Sequence, residues 1–271
     1  MTDMNNDNFS TARFVQVFKL YMHERMRSLT MQGIVMAALT AMVIFLCCWG
    51  AFKDAYSPDA YFGGNSVSDP MCVIMLMIYV AMIIAFGAII CSQAADGMQR
   101  KAGRLVVLMT PATQFEKYLT RWIVCTPVYL IVFTLMFILM DTIRVAAASA
   151  MYPQCTYIQS TLSMFFNGKV DIETTVTIAL VTLSIMSFYL LGSFFWPKNA
   201  FVKTAVASIA FILITIFVAA LIQPLWWGDM HYSDDGTSTR NILWISMTIL
   251  TLLCWTLGYL RFRQDEVIQR W

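Results

Sequence analysis

The residues that could do chemistry are few, and they lie outside the apolar parts of the chain. Its two histidines are His23 and His231, and neither falls within a long apolar stretch. Those stretches contain no Asp or Glu either. Intramembrane hydrolases, metalloproteases and ion-coupled carriers need ionisable groups inside their membrane segments. The pattern therefore argues against all three classes.

The polar stretch WWGDMHYSDDGTSTRN is the one place where possible metal ligands cluster. Carboxylates and an imidazole could bind a hard cation, but their spacing matches no recognised calcium or magnesium loop. A solvated loop is the alternative, and we predict no metal site. The residues concerned are Asp229, His231, Asp234 and Asp235.

Asp141 and Arg144 form the other polar pattern of interest. They stand three residues apart, which is the spacing of an ion pair on a helix surface. A surface pair is the prediction, and a substrate contact is the alternative.

No sequence motif predicts catalysis. The seven cysteines include no C-x-x-C pair, which argues against a disulfide framework and a zinc site. The pattern G-x-x-x-x-G-K-[ST] of phosphate-binding loops is also missing, so this chain is not expected to hydrolyse ATP by that route. No basic face typical of nucleic-acid binding occurs. We predict that the chain is not an enzyme and carries no catalytic residue.

The composition indicates a membrane protein. Of the 271 residues, 59% are hydrophobic and only 13% are charged, against about a quarter charged in a soluble domain. A transmembrane helix needs about 20 predominantly apolar residues. Such segments must be helical, because lipid cannot satisfy free backbone groups. We predict an all-α integral membrane protein with six transmembrane helices, at about 31–52, 71–92, 122–140, 174–195, 201–222 and 241–260.

The distribution of basic residues predicts the orientation. Most of the 18 Lys and Arg residues lie in the first 30 residues, in the loop 93–121, around 198–203 and in the tail 261–271. Basic residues concentrate on the cytoplasmic side of membrane proteins. We therefore expect both chain termini and the loop 93–121 to be cytoplasmic.

The N-terminal segment 1–30 includes a stretch with helical periodicity, residues 10–29. Its apolar and basic side chains fall on opposite faces, and Ser10 is a suitable N-cap. A basic amphipathic helix before a span is typical of the membrane interface, and a first span extended into the cytosol is the alternative. The interfacial residues we predict are Phe14, Phe18, Tyr21 and Arg25.

The loop 93–121 carries its own helix signals. Pro111 disfavours helix at the residue before it and ends an apolar run too short to cross a membrane. Thr113 followed by Glu116 fits a capping box, so a new helix should start at Gln114 and continue into the third span. The resulting helix carries Phe115 among charged residues. Such a surface suits a groove on a soluble partner, and a re-entrant bend on the bilayer surface is the alternative.

This loop resembles the one between spans two and three of permease subunits in type-2 ATP-binding-cassette (ABC) exporters. The family pattern is a basic turn, a glycine, an apolar run, then Pro-small-Ser/Thr and a returning helix. One departure is the sequence Gly103-Arg104-Leu105-Val106, where the family often has Gly-Thr-Leu-Glu, so contacts made by that hydroxyl and carboxylate do not carry over. The matching residues are Arg100, Lys101, Gly103, Leu105–Met109, Pro111, Ala112 and Thr113.

The resemblance implies a permease in the bacterial cytoplasmic (inner) membrane that pairs with a second permease subunit. ATP and magnesium would bind to a separate ATPase subunit, which docks on the loop 93–121. Membrane lipids complete the implied partners. The alternative is a six-span protein that transports nothing and serves as an anchor, sensor or immunity-type partner. The coupling residues implied are Gly103, Leu105, Leu108, Pro111, Thr113, Phe115 and Glu116.

Overall fold

All regular secondary structure among the described residues is helical. The computed structural model describes residues 9–55, 70–96, 109–151, 158–161, 163, 170–196, 198–227 and 237–267. A π-helical turn, Val124–Val128, joins the third α-helix to the fourth. The seven α-helices in these ranges are α1 (Thr11–Ala55), α2 (Pro70–Ser92), α3 (Gln114–Ile123), α4 (Tyr129–Met151), α5 (Ile172–Phe195), α6 (Ala200–Trp227) and α7 (Thr237–Val267).

Six helical stretches in the described part of the chain are long and apolar enough to cross a membrane. Each overlaps one of the six windows predicted from the apolar runs, and the second, Met71–Ser92, has the predicted bounds. The third stretch, Gln114–Met151, includes α3, the π-helical turn and α4. The prediction of an all-helical protein with six such helices is therefore confirmed.

Helix α1 is a single helix of 45 residues. The predicted interfacial segment 10–29 and the first apolar window both lie within it, with no break between them. The structure therefore does not confirm a separate amphipathic helix.

The described residues fall into two compact units. The first draws on Met1–Phe18, Gly87–Thr126 and Leu180–Trp271, and the second on Lys19–Phe86 and Pro127–Ala179.

In the first unit, α6 follows α5 closely in the sequence. Asn199, immediately before α6, has a φ of 54°, the left-handed conformation that asparagine tolerates better than most residues. Gly192 of α5 faces Thr204 of α6 so closely that a Cβ atom on the glycine would lie only 2.9 Å from the threonine Cβ. Glycine therefore allows the two helix backbones to approach one another here.

In the second unit, α2 and α4 pack through aromatic side chains. Phe133 is 1% exposed, and its ring lies near those of Phe86 and Tyr129. The Tyr129 hydroxyl donates a 2.8 Å hydrogen bond to the Ile83 carbonyl, which satisfies that polar group inside the apolar packing. The Tyr79 and Thr134 hydroxyls, 2.9 Å apart, pair in the same way.

Candidate functional site

Helix α3 begins as predicted, immediately after Thr113. Thr113 has extended backbone angles (φ −68°, ψ 153°), and its hydroxyl accepts a 3.3 Å hydrogen bond from the Glu116 backbone N–H. The Glu116 carboxylate in turn accepts from the Thr113 backbone N–H at 3.1 Å. Two of the N–H groups that a helix start leaves unpaired are thus satisfied, and the predicted capping box is confirmed.

The Glu116 carboxylate also binds the start of α1. Its Oε1 atom accepts a 2.9 Å hydrogen bond from the Ser10 backbone N–H, just before the first turn of that helix. The Arg13 guanidinium lies 3.7 Å away. The N-terminal ends of α1 and α3, each carrying a partial positive charge, therefore share one carboxylate. Glu116 is fully buried as a result.

Aromatic rings surround this junction. The Phe115 ring lies 6.3 Å from that of Phe9 and 5.9 Å from that of Tyr259 on α7, in both cases edge to face. The Phe9 ring also lies 5.8 Å from that of Phe14. Phe115 is nevertheless 47% exposed, so its ring is available to a partner.

A cavity of about 580 Å³ opens beside Phe115. Three separate parts of the chain form its walls: Phe9 (two residues before α1), the start of α3 and the end of α7. The residues that line it are Phe9, Ala112, Thr113, Gln114, Phe115, Tyr259 and Arg263.

Helix α3 is anchored on α7. The Tyr118 hydroxyl donates a 3.0 Å hydrogen bond to the Trp255 carbonyl. The Arg121 guanidinium lies 4.9 Å from the centre of the Phe262 ring, a cation–π distance. The Trp122 and Trp255 rings meet edge to face at 5.1 Å. These contacts fix the direction in which Phe115 is presented.

The helix continues from α3 into α4 through the π-helical turn Val124–Val128, which contains Pro127. Proline has no backbone N–H and cannot make the normal hydrogen bond inside a helix. A proline inside a helix is expected to kink it, and here the irregularity takes the form of a widened turn. Isolated π turns of this kind are frequent at functional sites.

The Asp141–Arg144 pair of the second unit is buried, so the prediction of a surface pair was wrong. Arg144 Nε lies 2.8 Å from the Asp141 carboxylate, and both side chains are at most 3% exposed. Both side chains also bind backbone groups further along the chain. Arg144 donates to the Gln159 carbonyl at 2.9 Å, and the Thr161 backbone N–H donates to Asp141 at 2.6 Å. The ion pair therefore binds backbone groups of its own chain.

The remaining predicted residues are placed as follows. Phe14 and Phe18 stack on one another along α1, and Arg25 donates to the Tyr21 hydroxyl one turn away. Gly103, Leu105 and Leu108 lie outside the described residues, as do Asp229, His231, Asp234 and Asp235. The described residues contain no group of three or more His, Cys, Asp or Glu side chains placed to hold a metal ion.

Comparison with known proteins does not identify a family for this chain. The chain matches no protein-family model, no curated protein and no solved structure.

Proposed function

We propose that this chain is the permease subunit of an ABC exporter, with α3 as the helix that couples it to a separate ATPase subunit. It would span the bacterial inner membrane six times, with both termini and the start of α3 in the cytoplasm. A second permease subunit would complete the translocation path. Catalysis and the binding of ATP and magnesium would belong to the ATPase.

The observation that carries this proposal is the construction of α3. Its first turn is fixed by the capping box, and Tyr118 one turn further on is hydrogen-bonded to α7. The half-exposed Phe115 lies in the first turn. The same helix continues through the π-helical turn into an apolar stretch long enough to cross a membrane. A force applied at Phe115 would therefore act directly on a membrane helix.

Coupling of this kind requires a difference in contact between two states. Nucleotide can shift the permease between two conformations only if the ATPase binds one of them more tightly than the other. A rigid, capped helix start is suited to this role, because it moves when the membrane helix that continues from it changes its tilt. The π-helical turn at Pro127 is the natural point for that tilt to change.

The test is retention of the ATPase encoded nearest this gene when the chain is purified from membranes. Phe115→Asp places a charge in the proposed apolar contact and should abolish retention. Ile172→Asp is the matched control, since Ile172 is also an exposed apolar residue in the first turn of a helix. Under the proposed topology it would lie on the opposite side of the membrane.

Retention by the wild type and by Ile172→Asp, with loss in a folded Phe115→Asp variant, supports the proposal. If the wild-type protein retains no ATPase, the proposal is wrong and the non-transporting anchor or sensor becomes the better hypothesis.

A further inference from the structure

We infer that the ATPase-binding surface is composite: Phe9 (two residues before α1), the start of α3 and the end of α7 together form one recognition cavity. This inference rests on the proposed function and extends it. The proposed function requires α3 alone. The geometry adds Phe9, Tyr259 and Arg263, none of which the sequence patterns single out.

The three segments are held together by contacts that do not depend on a partner. Phe9 and Tyr259 both contact Phe115, from opposite ends of the chain. The hydrogen bond from Ser10 to Glu116 ties the first segment to α3, and the bond from Tyr118 to Trp255 ties α3 to the third. The cavity between them is therefore already formed before any partner arrives.

The lining determines what the cavity can hold. Phe9, Phe115 and Tyr259 provide aromatic walls for an apolar side chain. Among the lining residues, all of which are described, Arg263 is the only charged one, and it is exposed. Glu116, next to the lining residue Phe115, is buried and already hydrogen-bonded. The matching occupant is a projecting loop of the ATPase with an apolar side chain next to a carboxylate.

Glu116 acts in this arrangement as a positioning residue. It is fully buried, so it makes no direct contact with a partner, and its carboxylate links the two helix starts by accepting hydrogen bonds from the Ser10 and Thr113 backbone N–H groups. Losing that link would free Phe9 from Phe115 and open one wall of the cavity. Partner binding should therefore weaken although the surface residues are unchanged.

Photocrosslinking in the native membrane tests the cavity directly. A p-benzoylphenylalanine residue replaces Phe9 or Tyr259 in the full-length chain, with replacement of Phe45 as the control. Phe45 is a similarly exposed aromatic residue on α1 that does not line the cavity. The same membranes are also used to measure co-purification of the ATPase with the unsubstituted protein.

Adducts with the ATPase from positions 9 and 259, but not from position 45, support the inference. If the ATPase co-purifies but the two cavity positions give adducts only with lipid or with a second copy of this chain, the composite surface is wrong and the proposed function stands. If the ATPase does not co-purify at all, both the composite surface and the proposed function are wrong.

Charge reversal provides a second, quantitative test. Arg263→Glu should weaken ATPase binding about five- to tenfold, because an attractive contact becomes a repulsive one. Lys19→Glu is the matched control, since Lys19 is also an exposed cation but lies on α1 and does not line the cavity. Glu116→Gln should weaken binding without altering any lining residue. Equal affinity for wild type and Arg263→Glu would contradict the proposed occupant.

Discussion

Two carboxylates are buried in the described part of the chain, those of Glu116 and Asp141, and they are stabilised in different ways. Both accept hydrogen bonds from backbone N–H groups far away in the sequence, from Ser10 and Thr161 respectively. Asp141 also has a buried arginine at 2.8 Å, whereas the arginine beside Glu116 is 3.7 Å away and 29% exposed. The comparison indicates that Asp141 belongs to a closed ion pair, while Glu116 is held mainly by helix ends.

This difference has a functional meaning. A closed pair in a dry environment is rigid, because moving either partner leaves a buried charge without compensation. A carboxylate shared by two helix ends is held by weaker, more adjustable interactions. The junction beside the proposed ATPase contact is therefore the one better suited to small movements, and the Asp141–Arg144 pair is suited to permanent anchoring.

Replacement of Asp141 should produce the largest effect. Asp141→Asn leaves Arg144 buried without its counter-charge and should lower the free energy of unfolding by about 3–5 kcal/mol. SDS titration of the protein in mixed micelles measures this. The double variant Asp141→Asn/Arg144→Met should recover much of the loss, because it removes both charges. A loss below about 1 kcal/mol for the single variant would show that the pair is not closed.

Replacement of Glu116 should be less costly. Glu116→Gln keeps one acceptor oxygen but loses the charge that interacts with the two helix ends, so we expect a loss of about 1–3 kcal/mol in the same titration. It should also increase proteolysis near the chain start, because Ser10 is released. If Glu116→Gln lowers the free energy of unfolding as much as Asp141→Asn does, the two carboxylates are not held differently.

The cap at Thr113 should contribute still less to stability. Thr113→Ala removes the hydroxyl that accepts from the Glu116 N–H and should cost about 1 kcal/mol, the usual cost of losing an N-cap. Thr113→Ser keeps the hydroxyl and is the control. If both variants unfold like the wild type, the capping box does not stabilise α3.

The smallest stability effect is expected at Arg13. Because its guanidinium is partly exposed and 3.7 Å from Glu116, Arg13→Ala should cost at most about 1 kcal/mol. The corresponding change at the other site, Arg144→Ala, should cost several times more because Asp141 is then left buried. Measuring the two variants in high and low salt sharpens the comparison, since only the exposed arginine should respond to screening.

Local patterns predicted much of this structure. The apolar windows located all six long helices, and the turn at Pro111 with the Thr113–Glu116 pair located the start of α3 to the residue. Each of these signals acts within a few residues or one continuous segment. Where the local signal was ambiguous, at residues 10–29, the sequence favoured a separate interfacial helix, and the continuous helix α1 was only the alternative.

The errors and omissions concern groups that meet across the chain. The spacing of Asp141 and Arg144 suited an exposed helix surface equally well. Their hydrogen bonds to the Gln159 carbonyl and the Thr161 backbone N–H come from a part of the chain 15 to 20 residues further on. Phe9, Tyr259 and Arg263 carry no motif, and their shared cavity depends on the packing of three distant segments.

By itself, the sequence determined the helices, their apolar lengths and the capped start of α3, because hydropathy, helical period and capping depend on neighbouring residues. Only the tertiary structure decided what Glu116 and Asp141 do. Ser10 and Glu116 are separated by 106 positions in the chain, and no local pattern records that the backbone of one satisfies the carboxylate of the other. A buried charge must find partners somewhere, and folding decides where they are.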